Sequence, residues 1–182
     1  MLGVALFGMN PFGWRIVGTL FGIAMLPLLY VFAKRLFRNT KTAALACGLF
    51  ALDGMHFVQT RIATIDVYGV FFIIAMCYFM FRYWQMNFYA DGLKKTFVPL
   101  GLCGVMFGLG VASKWIGLYA GAGLAVAFFT TLFKRYREYE WARKRLNVTE
   151  DEEEKRLCEH VAQSFWPCTI RTCAFCIGFF IV

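Results

Sequence analysis

Six charged or titratable side chains stand apart from the rest of this sequence: Arg15, Asp53, His56, Arg61, Asp66 and Lys114. Each lies at the end of an apolar run or in the short turn beside one, where a charge is costly unless it faces a protein interior or a water-filled cavity. Three cations among two carboxylates suit an anion site. Arginine holds phosphate oxygens bidentately and lysine adds a point charge. Asp53 lies eight residues before Arg61 and Asp66 five after it, so the acids are placed either to orient the cations or to accept hydroxyls of a polar substrate. His56 is a donor to a phosphate or a sugar hydroxyl. Each residue also has a simpler reading. Arg15 is placed to snorkel to an interface, Asp66 and Arg61 to pair and pin a hairpin, and Lys114 to occupy a turn. Trp14 and Trp115 read as interfacial belt residues.

The elements that must position these side chains are membrane helices. The 182 residues are 60% hydrophobic and 16% charged, against about 25% charged in soluble domains. The apolar residues fall in runs that a soluble core of this length does not bury. Crossing a bilayer takes about 20 apolar residues, and the runs predict one all-α transmembrane domain over 1–182, a polytopic helical bundle. Its spans fall near 14–33, 42–58, 64–81, 97–113, 116–133 and 165–182, with a kink at Pro27. Alternating these spans puts loops 34–41, 82–95 and 134–164 on one side. Arg15, Arg61 and Lys114 are the basic residues left over on the other. The positive-inside rule makes the basic loops cytoplasmic and the N-terminus external.

Other chemistries are disfavoured. The net charge of +8 follows the span flanks, the pattern of a membrane protein rather than a nucleic-acid binder. Cys173 and Cys176 form a CxxC near Cys158, His160 and Cys168, but it sits in or beside a span without a second tight pair. These cysteines read as small apolar residues rather than zinc ligands. The run Glu150-Asp151-Glu152-Glu153-Glu154 after Lys134, Arg135, Arg137, Arg143, Lys144 and Arg145 reads as a solvated loop with local charge pairing. No Gly-rich phosphate loop, H-E-x-x-H or Ser-His-Asp signature is present. A transporter would place its charges at mid-membrane and carry paired repeats, and neither feature is visible. A purely structural membrane subunit stays open, and it expects Arg15, Arg61 and Lys114 to be replaceable without loss of ligand binding.

Three elements carry a resemblance to a known family. Residues 52–66, Leu-Asp-Gly-Met-His-Phe-Val-Gln-Thr-Arg-Ile-Ala-Thr-Ile-Asp, resemble an outer turn of the protein O-mannosyltransferases, in which a Gln-Ser/Thr-Arg element is followed closely by an acidic residue. Residues 110–119 contain Ser113-Lys114-Trp115-Ile116-Gly117, similar to the family's Ser-Lys-Trp-x-Gly turn. Trp14 to Gly22 resembles the start of the family's second span, with its Arg and Gly. The similarity covers about residues 10–135.

The resemblance implies the lipid-phosphate-sugar-dependent (GT-C type) glycosyltransferase fold, here incomplete. It implies a polyprenyl-phosphate-mannose donor in the membrane and a protein serine or threonine hydroxyl as acceptor at the outer face. Transfer would invert the anomeric carbon while an acidic residue takes the acceptor's proton, with cations, polar contacts or a divalent metal at the leaving phosphate. By position, Arg15 corresponds to the arginine that reaches the donor phosphate. Arg61 and Lys114 correspond to supporting outer-face cations, and Asp53, His56, Gln59 and Asp66 to the polar outer turn. The family's acidic catalytic loop precedes the span at Arg15, so the base is expected upstream of Met1 and the chain alone is expected to be an inactive fragment. A related transferase acting on an envelope lipid fits the same residues. The short loops favour a bacterial plasma membrane.

Overall fold

A computed structural model describes residues 2–62, 64–146, 148 and 151–181. Among them every regular element is a helix. In chain order these are α1 (Leu2–Phe7), α2 (Pro11–Phe37), α3 (Thr40–Ala51), α4 (Gly54–Gln59), α5 (Asp66–Gln85), α6 (Phe88–Asp91), α7 (Leu93–Ser113), α8 (Ile116–Leu146) and α9 (Glu152–Ile181). Four of them, α2, α5, α7 and α8, are long and apolar enough to cross a membrane. Their flanks leave large apolar side chains uncovered, among them Leu20, Ile23, Val126 and Phe129, as expected of surfaces bathed in lipid rather than water.

Local chemistry sets the boundaries. Asn10 caps α2, its side chain accepting from the Gly13 amide at 2.7 Å, and Pro11 fills the first helical position, where no amide partner is needed. The helix continues past Pro27 and stops at Arg38, whose φ of 52° is left-handed. Asn39 then caps α3. The expected span over 42–58 is not one helix. α3 has 12 residues, a rise of roughly 18 Å, short of the roughly 30 Å hydrocarbon core. The chain breaks at Leu52 because Asp53 takes the amides of Met55 and His56, both at 3.2 Å, as the cap of α4. Two further helices outrun their expected spans: α8 continues beyond 133 to Leu146, and α9 begins at Glu152 rather than near 165.

The chain divides into two compact units. One comprises Met1–Tyr78 and Leu109–Tyr119, the other Phe79–Gly108 and Ala120–Val182. In the first, α2 packs on α5 through Phe21, whose ring meets Tyr68, Phe71 and Phe72 edge-on at 4.9–5.9 Å. Gly18 and Gly22 of α2 face the turn at Thr60. A Cβ on Gly22 would lie 2.8 Å from the Thr60 Cβ, leaving no room for one. The Thr19 hydroxyl, which donates to the Arg15 carbonyl at 3.0 Å, also reaches the Thr60 carbonyl at 3.3 Å. Such small-residue contacts are how helices associate in lipid, where burial of apolar surface supplies no drive.

In the second unit three fully buried threonines satisfy themselves within their own helices. Thr96, Thr131 and Thr172 donate to the carbonyls of Leu93, Ala127 and Cys168 at 2.7–2.8 Å, which removes the cost of a bare hydroxyl in an apolar interior. Arg135, expected in a solvated loop, is buried instead. It donates to the Tyr83 hydroxyl at 2.7 Å and the Met86 carbonyl at 3.1 Å, with its guanidinium over the rings of Tyr83 and Phe88.

Two stability predictions follow from this packing. Gly22→Ala should lower thermal stability in detergent by about 1–3 kcal/mol through overpacking. Gly48→Ala, where a Cβ meets nothing within 4 Å, should leave it unchanged or slightly raised; equal losses at both positions would show that Gly22 packing is not special. Arg135→Lys keeps the charge but loses the flat two-sided stack and one hydrogen bond. It should cost roughly 2 kcal/mol, read as a lower unfolding midpoint, and an unchanged midpoint would contradict the clamp.

Candidate functional site

The polar turn and the start of α5 border an open cavity of about 240 Å³ within the first unit, lined by Asp53, His56, Gln59 and Asp66 against Met25, Phe50, Val67 and Val70. The four polar residues that the sequence singled out as an outer-face group therefore line one space. Each is fixed by its local structure. Asp53 caps α4. His56 lays its ring against Phe50, centroids 4.3 Å apart. The Gln59 side-chain oxygen accepts from the Thr64 hydroxyl at 3.2 Å, which ties the far end of the turn. Asp66 is the first residue of α5, where the helix dipole favours a carboxylate.

The cations sit around this space in different ways. Lys114 pairs with Asp66, so Asp66 has taken Lys114 rather than Arg61 as its partner. Both ends of that pair are about half exposed (46% and 49%). An exposed pair contributes only about 0–1 kcal/mol, so its consequence is placement of the Lys114 ammonium beside the cavity wall more than stability. The turn that carries Lys114 is itself tight: Gly117 has the backbone of Gly110 and Val111 2.9 Å from where its own Cβ would be. Arg61 is exposed and lies over the Phe57 ring at 4.0 Å. Arg15 is exposed, and among the described residues no carboxylate pairs with it. Arg15 and Arg61 do not line the cavity. They are linked to it through Thr19 and Thr60: Arg15 lies one turn before Thr19, and Arg61 follows Thr60, which lines the cavity.

The sequence reading did not single out Thr19 or Thr64 and met Thr60 only as the middle residue of the Gln-Ser/Thr-Arg element; these are the hydroxyls that hold this arrangement. The visible signal was the four-residue spacing of Gly18 and Gly22, the small-xxx-small pattern of close helix contacts. For a metal the donor set does not fit. Among the described residues no group of three or more His, Cys, Asp or Glu side chains comes together. Asp53 and Asp66 are already engaged, one by backbone amides and the other by Lys114. The chemical capacity of the site is that of a small polar cleft lined by acceptors and an imidazole, with the Lys114 ammonium held beside it by Asp66, suited to a hydroxylated ligand bearing an anion.

The family described as Dolichyl-phosphate-mannose-protein mannosyltransferase matches residues 3–176. The polyprenol-phosphate-mannose–protein mannosyltransferase of Mycolicibacterium smegmatis is 34% identical over 133 residues, 65% of this chain and 26% of that protein. The protein of the same name from Mycobacterium tuberculosis is 30% identical over 161 residues, covering 75% and 30%. That from Corynebacterium glutamicum is 33% identical over 164 residues, covering 81% and 30%. The chain thus spans less than a third of the length of these curated relatives. No solved structure matches. With its membrane-length apolar helices, its all-α architecture and a family match over nearly its whole length, the chain is a multi-pass membrane protein that belongs to the dolichyl-phosphate-mannose–protein mannosyltransferase family.

Proposed function

We propose that this chain supplies the donor-phosphate side of an enzyme that moves mannose from a polyprenyl-phosphate-mannose to serine or threonine hydroxyls of proteins at the outer membrane face. The observation that carries the reading is the grouping of Asp53, His56, Gln59 and Asp66 around one cavity, with Lys114 held at its edge by Asp66. A cavity of about 240 Å³ is below the roughly 300–1,000 Å³ of drug-sized sites. It suits one sugar ring or a phosphate, not a nucleotide. The printed names of the curated relatives specify this donor and a protein acceptor. The basic loops then face the cytoplasm of a bacterial cell, and the cavity faces out.

In this reading the acceptor oxygen attacks the anomeric carbon from the side opposite the lipid phosphate. The carbon–oxygen bond to phosphate breaks, and the phosphate leaves with the electron pair. Charge grows on the phosphate oxygens, and cations that meet that charge lower the barrier. Arg15, Arg61 and Lys114 are those cations. His56 and the Gln59 amide hold sugar hydroxyls, and Asp53 and Asp66 hold the cavity's shape. Neither carboxylate is a good choice for the base that takes the acceptor's proton, because one is committed to two backbone amides and the other to Lys114. The base comes from elsewhere in the enzyme.

Donor binding tests the reading apart from turnover. With the chain in lipid nanodiscs, a short-chain polyprenyl-phosphate-mannose should bind, and Arg15→Ala, Arg61→Ala and Lys114→Ala should each weaken it by roughly tenfold or more, the worth of a charge-assisted hydrogen bond. The neutral polyprenyl mannoside lacking phosphate should bind far more weakly. Equal affinity for the two ligands, or three variants indistinguishable from the parent, would refute the assignment and favour a structural subunit.

A further inference from the structure

A cavity of about 740 Å³ in the second unit lies between one face of α8 and one face of α9. Its α8 wall repeats at three- and four-residue steps from Thr130 to Ala142, and its α9 wall does the same from Glu154 to Val161, the spacing of single helical faces. On α8 this face crosses the point where the apolar run ends at Phe133 and the basic run begins at Lys134. That is the depth at which lipid headgroups meet a spanning helix, and the nearby Trp141 is of the residue type enriched there.

The charges in this groove are not balanced. Its carboxylates are engaged: Glu138 accepts from the Asn87 amide at 3.0 Å, and Glu154 pairs with Arg145 at 3.7 Å. Lys134 and Arg137, one turn apart on the α8 face, have no carboxylate partner among the described residues. Tyr89 also lines the groove, and its buried hydroxyl has no hydrogen-bond partner among the described residues. Burial, and then the neighbouring Glu138 carboxylate, push this phenol above its ordinary range, so it remains a donor. A buried donor without an acceptor is uncommon in folded proteins and calls for a missing partner. Two free cations and one free donor specify a ligand made of acceptors. Phe133, Leu157 and Val161 along the same walls specify that the ligand also carries an apolar chain.

We propose that this groove binds an anionic phospholipid, its phosphate on Lys134 and Arg137 and the upper part of an acyl chain along Phe133, Leu157 and Val161. The site is separate from the proposed donor cavity, and its test does not depend on transferase activity. A lipid seated here would tie α8 to α9 at the headgroup level, where an isolated basic helix end would otherwise be held only by transient ions.

The unfolding midpoint of the chain in nanodiscs of phosphatidylcholine alone is compared with that in phosphatidylcholine containing phosphatidylglycerol. The parent should rise by about 2–4 °C with the anionic lipid, and native mass spectrometry should show phosphatidylglycerol retained after delipidation. The double variant Lys134→Gln, Arg137→Gln should lose both effects. Leu157→Trp, which fills the groove without changing charge, should lose them too and keeps the test valid if the double variant fails to fold. A rise of the same size in the variants would mean general surface attraction and overturn the site. So would an equal rise from inorganic phosphate in neutral lipid, a rise from polyprenyl phosphate but none from phosphatidylglycerol, or no rise in the parent.

Discussion

Gly22 has no side chain where α2 meets the turn at Thr60, and the geometry of the first unit depends on that missing carbon. Thr60 occupies the space a Cβ would need, so the turn sits directly on the helix backbone, and Thr19 adds a hydrogen bond to the Thr60 carbonyl. In lipid this kind of contact matters more than in water. Apolar side chains gain nothing by leaving lipid for one another, so close backbone packing and hydrogen bonds must hold the helices. Once Thr60 is fixed, the short helix from Gly54 to Gln59 is fixed before it and Arg61 after it. The cavity between Asp53 and Asp66 takes its shape from these two ends.

Electrostatics then follows from placement. Charges at membrane depth persist only where they are paired or serve a ligand. Asp66 and Lys114 pair, Asp53 satisfies two amides, and Arg61 covers an aromatic face. Arg15 has no carboxylate partner among the described residues. The second unit treats its basic residues in two contrasting ways. Arg135 is consumed by Tyr83, Met86 and Phe88 as an internal clamp. Its neighbours Lys134 and Arg137, on another face of the same helix, line a groove.

Much of this was legible from residue types. Long apolar runs give the α-helical class because nothing else but a closed barrel satisfies its backbone in lipid. The polar turn from Asp53 to Asp66 was recognisable because charges are rare beside such runs. The break at Leu52 was not legible, since hydropathy alone joins Thr42 to Val58, and the capping role of Asp53 depends on its side chain turning back to its own backbone. The partner of Asp66 was equally hidden. Arg61 is nearer in sequence, and the Lys114 pairing depends on the tertiary approach of two turns 48 residues apart. Arg135 was concealed by its basic neighbours, because a cluster of cations reads as solvated unless helical phase assigns each to a face and the aromatic partners, about fifty residues away in sequence, are known.

The central claim is that the turn docked on Gly22 places cations around a cavity that receives the donor's phosphate and sugar. The most direct measurement is covalent: a polyprenyl-phosphate-mannose carrying a photoreactive group on the sugar, irradiated with the chain in nanodiscs and mapped by peptide mass spectrometry. The account predicts labelling concentrated in residues 53–66, competed by unlabelled donor and strongly reduced in Gly22→Ala. Labelling spread over the lipid-facing spans, unaffected by competitor or by that substitution, would contradict it.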